Sequence, residues 1–283
     1  MPTKVAYLGP KGTYAESAAS ALAQLEKLDK PMLLPCTGIK SVIEHVATKN
    51  CEAAVVPIEN SVEGGVTGTL DALWTHSNLF ITRALIIPIR HALISSGDLR
   101  DISEVLSHPQ ALAQCTGWLN SNLPNALQLP TNSTSEAVRM VAGSKFRAAI
   151  GSVNSSGDIE GLNQVAYPIN DVAGNRTRFV LLQKQESKKD GNLASFAFSL
   201  HSNKPGSLLE ALSCIANLGL NMSRIESRPS KRELGEYRFF VDIELTEKIL
   251  NINEKISHEL TPLCENIVSF GSYLSSEIDS ECL

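Results

Sequence analysis

The fold of this chain is organised around the stretch Asn175-Arg176-Thr177-Arg178-Phe179, in which two arginines flank a threonine ahead of an apolar run. The run continues as Val-Leu-Leu over residues 180–182 and predicts a buried strand that begins at these polar residues. A guanidinium binds a carboxylate in bidentate geometry, and a hydroxyl between two guanidiniums can donate a hydrogen bond to a bound organic acid. The stretch therefore indicates an anion site on a strand. The simpler interpretation is a strand start with two solvated arginines.

Composition and charge limit the classes of protein that the chain can form. Its 283 residues are 43% hydrophobic, which is enough for two or three compact units with their own cores. The net charge of -5 provides no basic field for nucleic acid or an anionic membrane surface. No apolar run approaches the roughly 20 residues that cross a bilayer, and the first residues lack the apolar region of a signal peptide. We therefore expect a cytoplasmic protein.

The cysteines are scattered along the chain and form no Cys-x-x-Cys pair. Their spacing supports neither a structural zinc site nor a disulfide framework. We therefore expect free thiols, no metal site and no cofactor. The cysteines are Cys36, Cys51, Cys115, Cys214, Cys264 and Cys282.

The first part of the chain repeats a strand, a turn and a helix, which predicts a mostly parallel α/β sheet. The turn Gly9-Pro10-Lys11-Gly12-Thr13-Tyr14 follows an apolar strand and opens a helix, so its backbone N–H groups can hold an anion. A later strand ends in Pro57-Ile58-Glu59-Asn60-Ser61, ahead of a glycine-rich segment. Polar residues at the carboxyl end of a strand are typical of a ligand crevice in an open α/β sheet.

A second lobe is predicted from about residue 79, where a long β-rich segment broken by Pro88 crosses out of the first sheet. We expect lobe 2 at about 79–156, and lobe 1 at about 1–78 and 157–183. A cleft between two lobes is the usual site for a small ligand. The predicted cleft collects polar residues near strand ends, namely Thr13, Asn60, Ser107, Gln114, Ser133 and Thr177.

Part of this polarity has a structural explanation. Ser133 and Glu136 stand three residues apart before a predicted helix, which is the spacing of a capping box. Glu59 lies in the turn at a strand end, where backbone hydrogen bonding accounts for it as well as an acid role does.

Residues 184–192 are charged and polar and predict a linker to a third unit at 193–283. Apolar residues at Phe196, Phe198 and Leu200 alternate as in a half-buried strand. The predicted order of elements in this unit is β-α-β-β-α-β, a ferredoxin-like motif. Residues 274–283 are expected to form a loose tail.

Several of these stretches occur in the same order in the prephenate dehydratase family with its C-terminal ACT regulatory domain, and the chain resembles the monofunctional members of that family. The matching motifs of the lobes are Gly9-Pro10-Lys11-Gly12-Thr13-Tyr14, Pro57-Ile58-Glu59-Asn60-Ser61, Ser107-His108-Pro109-Gln110-Ala111-Leu112-Ala113-Gln114-Cys115, Ser133-Thr134-Ser135 and Asn175-x-Thr177-Arg178-Phe179. In the third unit, Gly206-Ser207-Leu208-Leu209 and Glu226-Ser227-Arg228-Pro229 resemble the two ACT effector loops. The resemblance implies an α/β fold with a two-lobed, periplasmic-binding-protein-like catalytic domain at 1–183 and a ferredoxin-like ACT domain at 193–283.

The resemblance also implies an activity, namely a carbon–oxygen lyase that converts prephenate to phenylpyruvate in phenylalanine biosynthesis. Thr177 matches the leading catalytic residue of the family, and we interpret it as the hydrogen-bond donor to the departing hydroxyl. Arg178 is expected to clamp a substrate carboxylate. Asn60, Ser107 and Gln114 match positions that orient the substrate, and Phe179, Thr13, Ser133 and Thr134 are expected to bind it.

The likeness of the third unit to ACT domains implies an effector and an assembly. We expect L-phenylalanine to bind at a seam between two copies of this unit and to inhibit the enzyme, in a homodimer or a homotetramer. Gly206 permits close backbone approach where neighbouring N–H groups can take an amino-acid carboxylate. The expected effector-binding residues are Gly206, Ser207, Leu208, Leu209, Glu226, Ser227, Arg228 and Pro229.

Other interpretations stay open. Some family members carry a glutamate where this chain has Asn132, so a carboxylate role is not transferred to that position. His108 before Pro109 is more typical of a structural turn than of a base, and a nucleophile pair of Cys115 and His108 lacks an orienting third group. Arogenate dehydratase shares the motifs, while a cytoplasmic organic-acid binding protein or a purely regulatory ACT protein would belong to a different class.

Overall fold

The computed structural model describes residues 2–156, 159–187, 191–245 and 252–278. Its strands are β1 (Lys4–Leu8), β2 (Met32–Cys36), β3 (Ala53–Asn60), β4 (Gly64–Gly65), β5 (Phe80–Pro88), β6 (Ala92–Ser95), β7 (Glu104–Ser107), β8 (Leu127–Pro130), β9 (Arg147–Gly151), β10 (Asn163–Ala166), β11 (Arg176–Gln183), β12 (Leu193–Leu200), β13 (Asn221–Pro229), β14 (Tyr237–Glu244) and β15 (Cys264–Glu277). Its α-helices are α1 (Tyr14–Leu25), α2 (Ile39–Ala47), α3 (Thr67–Thr75), α4 (Pro109–Ala113), α5 (Thr116–Asn122), α6 (Thr134–Met140), α7 (Ser207–Asn217) and α8 (Ile252–Leu260).

The strands of the first lobe belong to a large sheet with the order β13-β14-β12-β15-β5-β11-β3-β1-β2. β1 pairs in parallel with β2 and β3, whereas β11 runs antiparallel to β3 and β5. Because successive side chains of a strand point to opposite faces, β11 divides its apolar residues between two cores. Phe179 and Leu181 pack in the core under α1, and Val180 and Leu182 pack on the opposite face, which carries α2 and α3.

The second lobe is built on a separate sheet with the strand order β10-β6-β9-β7-β8. All of β5 stays in the large sheet, and the strand that leaves it is β6. β10 also lies in the small sheet, where it pairs with β6. The strand pairing therefore corrects the lobe limits of about 79 and 156 that the sequence suggested, because the apolar segment 79–94 holds two strands and only the second changes sheet. Residues 157 and 158 lie outside the described residues.

The two segments that cross between the lobes run side by side. The N–H of Ile89 donates to the carbonyl of Asn175 at 2.8 Å, and the N–H of Ile169 donates to the carbonyl of His91 at 3.0 Å. These bonds make a short two-stranded connection at the base of the cleft. Asn175, which precedes β11, thus belongs to a segment that touches both lobes.

The third unit has the predicted order of elements, β12-α7-β13-β14-α8-β15, with the sheet order β13-β14-β12-β15. Phe196, Phe198 and Ile215 contribute to its own core, in which α7 and α8 cover one face of the sheet. The expected α/β fold, with two lobes and a ferredoxin-like unit, is confirmed. The predicted linker at 184–192 contains residues 188–190, which lie outside the described residues.

The predicted tail is wrong in its first part. β15 continues to Glu277, and its residues 274–277 pair in parallel with residues 83–86 of β5. The strand bends at Gly271, whose φ of +88° lies in the left-handed region that glycine adopts without steric cost. The third unit and the first lobe therefore share one continuous sheet, because β5 offers an open edge that β15 fills. Residues 279–283 lie outside the described residues.

Candidate active site

A cleft of about 470 Å³ lies between the two lobes, at the carboxyl ends of β1 and β3. Seven of the expected site residues line it: Thr13, Asn60, Gln114, Ser133, Thr134, Thr177 and Phe179. Asn132, His91 and His108 also line it. The structure therefore brings together most of the residues that the sequence motifs selected, although they are spread over 167 positions of the chain, from Thr13 to Phe179. 

Two helix starts are built into the walls of the cleft. Thr13 is the N-cap of α1, and its hydroxyl accepts a bond from the N–H of Glu16 at 3.4 Å. Ser133 is the N-cap of α6, where its hydroxyl accepts from the N–H of Glu136 at 3.1 Å. The Glu136 carboxylate accepts in return from the N–H of Asn132 at 2.9 Å, which confirms the predicted capping box.

Thr177 and Asn60 face each other across the antiparallel pair of β11 and β3. The Asn60 carbonyl oxygen accepts from the N–H groups of Val62 and Glu63, both at 2.9 Å. Those two backbone donors fix the orientation of the amide, so its NH₂ group is the one that faces Thr177. Asn60 Nδ2 donates to Thr177 Oγ1 at 2.9 Å. The threonine oxygen is therefore an acceptor here, and its own proton is left for another partner.

Further amides extend this arrangement across the cleft. Asn60 Nδ2 also donates to Asn175 Oδ1 at 2.8 Å, and Asn175 Nδ2 donates to Gln114 Oε1 at 2.9 Å. His91 Nε2 lies 3.1 Å from the same Gln114 oxygen, and Gln114 Nε2 donates to Glu63 Oε1 at 3.2 Å. Gln114, from the second lobe, is thus bound to residues of the first lobe and of the crossing segments.

Sequence reasoning missed two members of this network as site residues. Asn175 stood in the quoted motif, but nothing in its spacing distinguished it from a turn residue. His91 follows β5 in a crossing segment and carries no motif at all. Its burial lowers its pKa below the ordinary value for histidine, against a smaller opposing effect of the bond with Gln114, so the ring is neutral at neutral pH.

The charge of the cleft is low. Among the described residues that line it, none is a lysine, an arginine, an aspartate or a glutamate. Polar contact with a ligand falls to hydroxyls, amides, the two histidines and the backbone N–H groups at the starts of α1 and α6. Helix starts carry partial positive charge, so this cleft suits an anion held by neutral donors.

Arg178 does not line the cleft, which contradicts its expected role as a carboxylate clamp. It neighbours Thr177 on β11 and therefore points to the opposite face of the sheet. There the residue is 8% exposed, and its guanidinium forms ion pairs with Glu59, at 3.0 Å, and with Asp242 of the third unit. Because successive side chains of a strand point to opposite faces, Arg178 cannot lie on the side of the sheet that Thr177 occupies.

Ser107 is also placed differently from the expectation. It is fully buried at the end of β7, and its hydroxyl donates to the carbonyl of Ile150 at 2.7 Å. The hydroxyl therefore joins β7 to β9 and does not line the cleft.

The face opposite the cleft holds a buried ionic network around Asp242. Its carboxylate accepts from the hydroxyl of Ser195 at 2.6 Å and lies 3.5 Å from Arg224. Burial disfavours the charged form of Asp242, but Arg178 and Arg224 outweigh burial and hold its pKa below the ordinary value. Asn60 and Thr177 thus face the cleft, while their neighbours Glu59 and Arg178 join the third unit.

The two expected effector segments are separated within one chain. Gly206, Ser207, Leu208 and Leu209 line a groove of about 480 Å³ together with residues of the β13–β14 hairpin and β15. Gly206 is the N-cap of α7 and has a φ of +93°, which explains the glycine at that position.

The second segment, on β13, does not line that groove. Glu226 lies against Gly65 of the first lobe and pairs with Arg224 at 2.8 Å, and Arg228 pairs with Asp71 of α3 at 3.3 Å. These two side chains therefore contact the first lobe within one chain, and their expected effector role at a seam between two copies stays a prediction. Ser227 and Pro229 lie on the exposed face of β13.

Neither a metal cluster nor a membrane segment is present in the part of the chain that the structure describes. No group of three or more His, Cys, Asp or Glu side chains there is arranged to hold a metal ion. None of the described helices has the length and apolar character needed to cross a bilayer.

Together these features define a class: a two-lobed α/β protein with a nearly uncharged cleft for a small anion, joined through one sheet to a ferredoxin-like unit. The sequence model of the prephenate dehydratase family matches residues 5–187. Prephenate dehydratase of Methanocaldococcus jannaschii is 37% identical over 268 residues, which cover 92% of this chain and 96% of that protein. The bifunctional chorismate mutase/prephenate dehydratase of Aquifex aeolicus is 35% identical over 272 residues, covering 95% and 73%. The chain belongs to the prephenate dehydratase family.

Solved structures agree with this assignment. Prephenate dehydratase from Arthrobacter aurescens, solved in complex with L-Phe, has a TM-score of 0.86 and 33% identity, covering 96% of this chain and 90% of that one. A protein described as a novel type of quorum-quenching acylase, GqqA, has a TM-score of 0.80 and 25% identity, covering 96% and 98%. One architecture therefore carries proteins described by different activities, and the chemistry has to be argued from the residues of the cleft.

Proposed function

We propose that the chain is a prephenate dehydratase that converts prephenate to phenylpyruvate, carbon dioxide and water. The observation that carries this proposal is the hydroxyl of Thr177, whose oxygen accepts from Asn60 and whose proton is thereby free to point at a ligand. In the reaction, the bond between the ring and its carboxylate breaks, and the electron pair of that bond enters the ring. The shift completes the aromatic ring and expels the ring hydroxyl, which leaves as water with one proton taken up from solvent.

Thr177 acts as the hydrogen-bond donor to the departing hydroxyl. Negative charge grows on that oxygen as the C–O bond breaks, so a donor aimed at it stabilises the transition state more than the substrate. Phe179, on the same side of β11 and 3% exposed, provides an apolar wall for the ring. Asn60 and Gln114 orient the donor, and the N-termini around Thr13 and Thr134 bind the substrate.

The lack of cations among the described lining residues supports decarboxylation. Prephenate carries two carboxylates, and one of them loses its charge as carbon dioxide departs. An arginine on that carboxylate would stabilise the substrate more than the transition state and would slow the reaction. Neutral donors and helix N-termini bind the dianion without this penalty.

The composition of the cleft favours prephenate over arogenate. Arogenate carries an ammonium group where prephenate carries a keto group, and a buried ammonium needs an anionic or strong acceptor partner. No described lining residue is an aspartate or a glutamate. The nearest carboxylate of the network, that of Glu63, accepts from Gln114. We therefore expect the larger kcat/KM with prephenate.

The test is a direct measurement of both reactions. Purified protein is incubated with prephenate while phenylpyruvate is followed, and with arogenate while phenylalanine is followed. A kcat/KM at least about tenfold higher for prephenate supports the proposal. Turnover of arogenate alone would make the chain an arogenate dehydratase, and binding of either acid without turnover would make it an organic-acid binding protein.

For the third unit we propose an ACT regulatory domain that binds L-phenylalanine, in a monofunctional and cytoplasmic enzyme. The division is a catalytic domain at 1–183, a linker at 184–192 and the regulatory domain at 193–283. The groove beside Gly206 is the effector site, and its rim carries exposed apolar side chains, Leu209 and Tyr237, that a second copy can cover. The assembly is a homodimer or a homotetramer.

Sedimentation and inhibition measurements test this part. We expect a dimer or a tetramer by analytical ultracentrifugation, and inhibition of prephenate turnover on addition of L-phenylalanine. A monomer that L-phenylalanine does not inhibit would contradict the regulatory proposal and leave the catalytic proposal untouched.

A further inference from the structure

We infer that Asn175 and His91 are positioning residues that set the direction in which the Thr177 hydroxyl donates its proton. The inference rests on the proposed function and deepens it. Neither residue needs to touch the reacting atoms, because each acts through a chain of amides that ends on Thr177 Oγ1.

The chain of amides is anchored by backbone atoms. The N–H groups of Val62 and Glu63 both donate to Asn60 Oδ1 at 2.9 Å, and neither can reverse its polarity. A flipped Asn60 amide would set its NH₂ group against two N–H donors, so the orientation seen is the stable one. Asn60 therefore presents NH₂ to both Asn175 and Thr177.

The orientation of the Asn60 amide fixes the orientations of the Asn175 and Gln114 amides in turn. Asn175 accepts from Asn60 at 2.8 Å through Oδ1, so its NH₂ group faces Gln114 Oε1 at 2.9 Å. Gln114 must then present its oxygen to Asn175 and its NH₂ group to the Glu63 carboxylate, 3.2 Å away. Since Glu63 also supplies one of the backbone donors to Asn60, the four residues close a ring of hydrogen bonds with a single consistent direction.

His91 adds a second donor to the Gln114 oxygen of this hydrogen-bonded ring. Its Nε2 lies 3.1 Å from Gln114 Oε1, which already acts as an acceptor, so Nε2 must carry a proton. The second ring nitrogen, Nδ1, is buried and has no hydrogen-bond partner within the described residues. The Gln114 oxygen therefore accepts two hydrogen bonds, one from Asn175 and one from the neutral Nε2–H tautomer of His91.

In this arrangement the Thr177 hydroxyl accepts one hydrogen bond and still has its proton to donate. Its oxygen accepts from Asn60, so its proton is directed away from the ring and into the cleft that it lines. Without Asn175, Asn60 loses one of its acceptors, and its NH₂ group is less firmly held toward Thr177. Without the His91 donor, the Gln114 oxygen keeps one donor instead of two, and its amide is held less firmly toward Asn175.

The kinetic test compares variants that differ in one hydrogen-bonding function. His91→Gln offers a donor in place of the ring N–H, whereas His91→Leu removes it. We expect His91→Leu and Asn175→Ala to lower kcat by roughly 10-fold or more, since a lost hydrogen bond is worth about one factor of ten, while KM changes less than about threefold. His91→Gln should restore kcat to within about threefold of wild type, which a purely structural role would not predict.

A spectroscopic readout is independent of activity. In ¹⁵N-labelled wild-type protein at neutral pH, the imidazole signals that disappear in His91→Gln should show the neutral Nε2–H tautomer. An Nδ1–H tautomer or a charged ring would overturn the inference. So would wild-type kcat in His91→Leu and Asn175→Ala, and so would equal losses in His91→Gln and His91→Leu. Wild-type protein that does not turn over prephenate, but shows the Nε2–H tautomer, would overturn the proposed function instead. If Asn175→Ala does not fold, the two His91 variants decide the kinetic question.

Discussion

At the scale of the residue, the function depends on which atom of a side chain is left without a partner. Thr177 is 8% exposed, yet it lines the cleft, and its hydroxyl oxygen accepts a hydrogen bond from Asn60. Arg178, its neighbour, is equally buried but forms ion pairs with two carboxylates on the other face. Of these two neighbours, only the threonine is therefore placed for chemistry.

Replacement of Thr177 tests this assignment. Thr177→Ala removes the donor to the departing hydroxyl, and we expect kcat to fall by roughly 100-fold or more. Thr177→Ser retains a hydroxyl at the same position and should keep a substantial fraction of wild-type activity. Steady-state kinetics with prephenate measure both, with thermal unfolding as the control for folding. Equal kcat in wild type and Thr177→Ala would show that the Thr177 hydroxyl has no role in the reaction.

At the scale of the element, the pair of β3 and β11 has two working faces. Asn60 and Thr177 face the ligand cleft, and the partners next to them, Glu59 and Arg178, bind the third unit. The two faces differ because successive side chains of a strand point to opposite sides of the sheet. The Asp242 network and the Thr177 hydroxyl are therefore attached to opposite faces of the same two strands.

Asp242→Asn should destabilise the protein strongly. Asp242 is buried and pairs with Arg178 and Arg224, so loss of its charge leaves two buried guanidiniums with less compensation. Breaking such a buried pair costs about 3–5 kcal/mol in the free energy of unfolding. Urea denaturation measures the change. The matched control is Asp98→Asn, whose exposed pair with Arg100 predicts a change within about 0.5 kcal/mol.

The same carboxylate makes stability depend on pH. The pKa of Asp242 is lower in the folded state than the ordinary value, so ionised Asp242 stabilises the fold at neutral pH. That contribution is fully present above the unfolded pKa of about 3.9 and is lost as the pH falls below it toward the folded pKa. The difference in unfolding free energy between wild type and Asp242→Asn should therefore shrink from about pH 5 to pH 3. A difference that stays constant over this range would exclude Asp242 as the group responsible.

At the scale of the whole molecule, the continuous sheet joins the third unit to the lobe that carries Asn60 and Thr177. Residues 274–277 of β15 cover the edge of β5, and the apolar core of the first lobe includes Phe240, Phe270 and Tyr273 of the third unit. Removal of the third unit would uncover this edge and these contacts. A truncation before Leu193 is therefore a poor test of the effector site, and single substitutions in the groove are preferable.

Two glycines at the ends of α7 provide such a test. Gly206 and Gly219 both have positive φ, at +93° and +75°, and a Cβ on either meets no atom within 4 Å. Alanine at either position is strained by a similar amount, but only Gly206 lines the proposed effector groove. We expect Gly206→Ala to raise the concentration of L-phenylalanine for half inhibition by at least about fivefold, without a change in uninhibited kcat. Gly219→Ala should respond as wild type, and equal shifts in both variants would indicate general destabilisation of α7.

The amino-acid sequence by itself determined the local structure and the family. Periodicity predicted the βαβ units and the ferredoxin-like unit, and the spacing of Ser133 and Glu136 predicted a capping box that the structure contains. These features depend on residues a few positions apart, whose relative placement is set by the repeat of a helix or a strand. The ordered motifs around Asn60, Gln114 and Thr177 predicted most of the residues that the cleft collects, with Ser107 as the exception.

Only the tertiary structure decided the partners of residues that are far apart in the chain. Arg178 meets Asp242 across 64 positions, and Gln114 meets Asn175 across 61, so no local spacing encodes either contact. Likewise, residues 274–277, which the sequence predicts to be part of a loose tail, pair with the open edge of β5. The physical reason is common to all three. A side chain's role depends on the face of the strand it occupies and on what the fold brings to that face, and both are settled only when the strands pair.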